Sequence, residues 1–360
     1  MNMKKSVLIA LAAVLCFAAC KKEVPAPEGT VEAVSAEQQV PYWGGELKYT
    51  VTSNCNWMVG TREEKGLSFN MIDGVSGTAE LVVSVPKNTT QNSISWSFLI
   101  KFENSDGLTD SKTVSFEQPA PSLEYGGVTY KVVYLQDGNY WMAENLRYVP
   151  EGKTVSEDLK DIANGVWYPV NTDGTIALFD KTDSYVNECG YLYTASVAFG
   201  AEVTASNFDK FAGTRGICPE GWHIPTFEEC FALIGHTSNS KVYPDDPKAP
   251  YYDADLKYGS IAKMAADGMT FPIPGLVNVA NATASAGTLV GPTGKAPEKT
   301  MNTAYILGST PYQKTDNADG SLKNIQYYSI MPNKNNGTLN VAYSFYRSGC
   351  SVRCVRDADK

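Results

Sequence analysis

Between residues 31 and 118 the chain is a succession of short runs that suit extended backbone and little else. Residues 47–51 read Leu-Lys-Tyr-Thr-Val, 79–85 Ala-Glu-Leu-Val-Val-Ser-Val, 96–102 Trp-Ser-Phe-Leu-Ile-Lys-Phe and 113–116 Thr-Val-Ser-Phe. β-Branched and aromatic side chains lose rotamer freedom in a helix but pack well on a pleated surface. Between the runs stand Gly44-Gly45, Asp73-Gly74, Ser76-Gly77, Lys87-Asn88 and Asp106-Gly107, residue types that reverse a chain. Strands this short cannot each bury a face alone, so the pattern predicts a β-sandwich over 31–119.

Pro119, Pro121 and Ser122 interrupt that pattern and mark a boundary. The second module, 123–360, mixes α and β and makes the chain a β-rich two-domain protein. Its clearest helix follows Pro225: Thr226 is a predicted N-cap, Glu229 completes a capping box, and Gly235 supplies the stop. Phe227, Cys230, Phe231 and Ile234 fall at i, i+3, i+4 and i+7, one apolar stripe toward a core. Residues 237–260 and 281–304, rich in Pro, Gly, Asn, Thr and Asp, read as long surface connections, where binding specificity resides.

The N-terminus sets the compartment. Lys4 and Lys5 precede an apolar run over 7–19, shorter than the roughly 20 residues a spanning helix needs, so 1–19 is a signal peptide. Ala18 and Ala19 stand directly before Cys20, a pattern similar to a bacterial lipobox, in which the cysteine receives lipid and the signal is cut before it. Leu15 is too bulky for Cys16 to serve instead. The competing reading is an ordinary secretory signal with an incidental cysteine. Lipidated Cys20 with two or three acyl chains would hold the protein stably on a membrane, here expected to be the outer membrane at the cell surface. Residues 20–30, with Pro25, Pro27 and Gly29, form an anchor and tether.

Cleavage would take the formal charge from -9 to -11, which makes nucleic acid an unfavourable partner. The mature length suits two domains, each with its own core. Of eight cysteines, six remain after Cys16 leaves and Cys20 is lipidated, and outside the cytoplasm these can oxidise. The 21 tyrosines and 6 tryptophans serve either a core or a surface that stacks on sugars.

Residues 216–225, Gly-Ile-Cys-Pro-Glu-Gly-Trp-His-Ile-Pro, run into Thr226-Phe227-Glu228-Glu229-Cys230, and 351–357 read Ser-Val-Arg-Cys-Val-Arg-Asp. Together with Tyr130-Lys131-Val132-Val133 and Trp141-Met142-Ala143-Glu144-Asn145-Leu146, these segments resemble the Fibrobacter succinogenes major paralogous domain, common in surface proteins of Bacteroidetes and Fibrobacteres. In the first module, Gly44-Gly45, the Ser53-Asn54 turn before Trp57, and Phe116-Glu117-Gln118-Pro119 resemble a BACON domain, an immunoglobulin-like module. That family places a core tryptophan after the turn, so Trp57 is expected to pack rather than touch sugar. The two motifs of the second module also resemble formylglycine-generating enzymes and the C-type-lectin-like fold, where comparable segments pack at the centre.

That resemblance, with the cysteine count, implies a Cys218–Cys354 disulfide. Cys189 and Cys230 invite a second bridge, with a pair of buried thiols as the alternative, which leaves Cys55 and Cys350 over. A reactive Cys350/Cys354 pair fits badly, because a strand would hold their Cα atoms about 13 Å apart. His223 and His236 lack the neighbours of a zinc site, so His223 is expected to be structural and His236 to face the helix C-terminus. Asp245, Asp246, Asp253 and Asp255 offer an acidic loop for calcium, but the spacing is not that of an EF-hand and a solvated loop is the competing reading. No hydrolase, phosphate-loop or lectin calcium signature appears, so neither catalytic residue nor cofactor is assigned. The chain is expected to be a non-enzymatic surface lipoprotein binding an extracellular glycan or protein. A structural or fimbria-associated subunit is the alternative, and a polysaccharide-acting enzyme the more distant one.

Overall fold

The computed structural model describes residues 23–60, 66–172, 176–238, 243–279, 281–291 and 304–357. The signal peptide and Cys20 lie outside them. Among the described residues no helix is long and apolar enough to cross a membrane. The chain is β-rich and divides into two units: one takes the residues up to Pro86 and Ser95–Glu117, the other Lys87–Ile94 and Gln118 onward.

Two four-stranded antiparallel sheets build the first unit. One orders Gly29–Ala33, Gly45–Ser53, Gly77–Val85 and Ser68–Phe69; the other orders Asp73–Gly74, Asn56–Val59, Ile94–Glu103 and Thr109–Gln118. Alternation decides which faces turn inward. Leu47, Tyr49 and Val51 are buried along one strand and Trp96, Phe98, Ile100 and Phe102 along another, while the residues between them reach solvent. Tyr49 and Phe69 of the first sheet meet Phe98 of the second edge-on, at 5.5 and 5.4 Å between ring centres, so the sheets form a sandwich. Trp57 is 2 % exposed and therefore a core residue. Only glycine fits beside it, since a Cβ at Gly74 would come within 2.5 Å of the indole ring.

The second unit combines strands of very unequal length, from two residues to the twelve of Leu322–Asn333, with long irregular segments. One five-stranded sheet orders Trp222–His223, Val355–Arg356, Tyr140–Met142, Val128–Tyr134 and Ser122–Tyr125. A second orders Tyr252–Asp253, Tyr258–Ser260, Thr338–Phe345, Leu322–Asn333 and Ile306–Asp316. The first sheet pairs the two defining sequence motifs directly, Trp222 opposite Arg356 and His223 opposite Val355.

Helix Phe227–Ile234 packs into the core that also receives Trp141, Tyr328, Leu339, Val341 and Val355. Thr226 Oγ1 accepts from Glu229 N and Glu229 returns the bond, so the capping box is complete. Gly235 closes the helix at φ 66°, where a Cβ would strike the Asp246 carbonyl at 2.2 Å. The buried face comprises Phe227, Cys230, Leu233 and Ile234, whereas Phe231 is only half-buried. Leu233 is buried in the same core cluster as Tyr251, whose N–H donates to the Leu233 carbonyl at 3.0 Å.

Three expectations need revision. The closing segment is a regular strand only at Val355–Arg356; residues 351–354 bond individually, with Met142 N donating to Cys354 O and Leu146 N to Val352 O. The connection 237–260 contains the antiparallel pair Tyr252–Asp253 and Tyr258–Ser260, and 281–304 contains the strand Thr288–Val290 on Leu276–Asn278. Cys189 and Cys230 form no bridge. Cys189 ends the helix Asp183–Cys189, whereas Cys230 belongs to the main apolar core, and burial drives both thiols upward in pKa, that of Cys189 to about 12.

Candidate functional site

Three of the four motif segments of the second unit converge on one polar framework. Cys218 and Cys354 form a disulfide with their Cα atoms 5.9 Å apart, joining the segment before the helix to the closing strand. One residue back, Arg353 is fully buried. Its Nε donates to Asn145 Oδ1 at 2.7 Å, its Nη2 to the Thr270 carbonyl at 2.6 Å, and its guanidinium lies 4.9 Å over Phe271. Burial lowers its pKa, although the delocalised cation stays protonated and relies on these contacts. Asn145 Nδ2 in turn donates to the Cys189 carbonyl at 2.7 Å and to Ser351 Oγ at 3.2 Å. The Asn145 amide thus ties three distant segments together.

His223 sits beside this framework, 14 % exposed, between Glu229 and Asp357. Its two ring nitrogens are each within hydrogen-bond distance of a carboxylate. No hydroxyl or thiol nucleophile is bonded to the imidazole among the described residues. His236 departs from expectation: its Nδ1 bonds Asp245, and its ring meets Tyr258 edge-on at 4.3 Å. In the acidic loop the carboxylates serve local turns. Asp246 accepts from Lys248 N at 2.9 Å and Asp253 from Asp255 N at 3.1 Å. Among the described residues no group of three or more His, Cys, Asp or Glu side chains is arranged to hold a metal ion, so the calcium reading gains nothing here. Cys350 is buried, with its pKa pushed up to about 12 by desolvation, the opposite of a reactive thiol.

Among the described residues of the second unit, two solvent-accessible features stand out. One is a cleft of about 720 Å³ lined by Pro150, Lys153, Thr194, Ser196, Tyr346 and Arg347, within the size range of small-molecule sites. Its cations are tied to backbone, Lys153 Nζ to the Ala163 carbonyl at 3.0 Å and Arg347 Nη1 to those of Asn281 and Ala282.

The other is an aromatic stack on the sheet face that carries Leu339, Val341 and Tyr343. Phe227 and Tyr328 anchor it in the core at 4.3 Å. Tyr312 stands edge-on to Tyr328 at 5.2 Å, and Tyr343 lies parallel on Tyr312, at 4.7 Å and 3° between planes. Tyr343 is the outermost ring of that series and is 40 % exposed. Lys314 and Asp316, an ion pair, continue along the same strand as Tyr312. Sequence reading missed this stack, because its rings come from three strands and only pairing brings them together.

In the first unit, a cleft of about 510 Å³ is bordered by Val24, Pro25, Asn54, Cys55, Met58 and Lys101. Cys55 is a half-buried free thiol there, 3.5 Å from Ser53 Oγ.

A module of antiparallel sheets in which a disulfide staples segment 351–357 to the segment before the helix is thus the class of structure these motifs build. Residues 137–356 match the family model of the Fibrobacter succinogenes major domain, and the chain belongs to that family. No curated protein matches the chain.

Proposed function

We propose that this chain is a lipid-anchored cell-surface protein, held through Cys20, whose second unit binds an extracellular glycan without acting on it chemically. In this reading the first unit is a BACON-like immunoglobulin-type sandwich serving as a spacer. The second is C-type-lectin-like in plan.

The observation that carries the proposal is the tyrosine stack ending at Tyr343. An exposed ring backed by a parallel ring presents a rigid apolar face with a polar hydroxyl tip, the combination that suits the C–H face of a pyranose ring. Rigidity matters, because a side chain already held in place loses little entropy when a ligand arrives. The mature chain's formal charge of -11, from -9 less Lys4 and Lys5, disfavours acidic polymers, so the ligand class is a neutral polysaccharide.

A glycan array probed with soluble residues 21–360 tests this. Saturable binding to neutral glycans is expected, and Tyr343→Ala should weaken it about tenfold, equivalent to roughly 1.4 kcal/mol of ring contact, while leaving the fold intact. An array without saturable binding, or binding indifferent to Tyr343, overturns the reading.

A further inference from the structure

We propose that His223 is held as an imidazolium and, with Glu229 and Asp357, forms a pH-sensitive latch that fastens the C-terminal end of the chain to the start of helix Phe227–Ile234.

A proton count leads there. His223 Nδ1 lies 2.7 Å from Asp357 Oδ1, and Nε2 lies 2.8 and 3.0 Å from Glu229 Oε1 and Oε2. Ionised carboxylates only accept, and a neutral imidazole has a single N–H. A neutral ring would therefore satisfy one carboxylate and turn a lone pair toward the other. Only the doubly protonated ring donates to both.

Neither carboxylate is free to swing away without loss. Glu229 Oε2 also accepts from Thr226 N at 2.8 Å and Thr226 Oγ1 at 3.1 Å, which is half of the capping box. Asp357 is placed by its backbone N–H, which donates to the Gly221 carbonyl at 2.9 Å. Two further charges stand nearby: Asp137 lies close enough to Glu229 to feel its charge, and the Arg356 guanidinium reaches over Gly221. Burial opposes charge on the ring, but the hydrogen bonds and charges of Glu229 and Asp357 outweigh it and raise the His223 pKa above the ordinary 6.5. For Glu229 burial likewise opposes ionisation, and the bonds from His223 and Thr226 overcome it, lowering its pKa below 4.5.

The sign of the pH dependence follows. A raised histidine pKa contributes stability that is fully present below 6.5 and is lost as pH rises through the folded value. A depressed glutamate pKa contributes stability that is present above 4.5 and is lost as pH falls through its folded value. The latch is therefore fully closed between those two ordinary values and opens on the alkaline side by deprotonation of the ring. Cys354, held by its disulfide, keeps residues 351–354 attached, so the opening is confined to the residues that follow.

Imidazole titration by NMR on the oxidised 21–360 chain tests the latch. The chain has only His223 and His236, so His236→Gln assigns the signals. The His223 midpoint is expected above 6.5, and Asp357→Asn should lower it by about a unit. Glu229→Gln should do the same, with glutamine preserving the capping box. Amide exchange at 355–357, corrected for the intrinsic pH effect, should accelerate through that midpoint. A midpoint at or below 6.5, or one that Asp357→Asn does not move, overturns the proposal.

Discussion

The two units solve the same problem, holding β structure together, by different physics. In the first, long alternating strands such as Gly45–Ser53 and Gly77–Val85 pair over nine residues and bury Leu81, Val83 and Val51 completely. Ladder and core reinforce one another, and no disulfide is needed among its described residues. In the second, three of the four strands carrying the family motifs are only two to three residues long, Trp222–His223, Val355–Arg356 and Tyr140–Met142. Such strands supply few ladder bonds. Their segments are fastened instead by the Cys218–Cys354 disulfide, the buried Arg353–Asn145 contact and the His223 pair. The lesson is that a motif rich in Cys, Arg, Asn and His can mark structural fasteners as readily as chemistry.

The disulfide provides the sharpest way to break that contrast. It spans a sequence separation of 136, and in the chain-entropy model a loop that long stabilises by about 4–5 kcal/mol. Reduction, or paired Cys218→Ala and Cys354→Ala, should lower stability by about that amount. Amide exchange should rise in the second unit and stay unchanged at Gly77–Val85.

Asn145→Ala comes next, at about 3–4 kcal/mol. It removes three hydrogen bonds and leaves the Arg353 Nε buried without its acceptor. Chemical denaturation with a probe in each unit measures it. An effect as small as that of a surface substitution would mean that the framework is ornamental.

In the first unit, Leu81→Ala should cost about 3 kcal/mol through lost burial and the cavity left behind. Unlike the disulfide effect, that loss should be insensitive to reducing agent. The smallest effect, about 1 kcal/mol, belongs to Thr226→Ala, which deletes the helix cap. Thermal melts of both variants with and without reductant order the four effects.

How much could be read in advance varied with the range of the interaction. Turn residues and alternation located the sandwich strands, and Thr226, Glu229 and Gly235 marked the helix, because each signal lies within a few residues of what it controls. Phe231 packs against the core as its place in the stripe implies but is only half-buried, and Leu233 joins the buried face, because a helix stripe says nothing of how many neighbours approach it. Pairing of Cys218 with Cys354 came from family resemblance; six candidate cysteines allow many pairings, and the second bridge Cys189–Cys230 does not form, both being buried thiols, the competing reading. The aromatic stack left no periodic trace, since Tyr312, Tyr328 and Tyr343 stand on separate strands.

Local chemistry in the sequence by itself determined the β-rich character, the capped helix and the family to which the chain belongs. Tertiary structure alone decided that Arg353 would meet Asn145 across 208 residues, that His223 would stand between Glu229 and Asp357, and that Tyr343 would end a stack. The physical reason is one of distance: caps and turns are satisfied within a single turn of chain, whereas a buried cation or an imidazole between carboxylates exists only once remote segments have packed and excluded water.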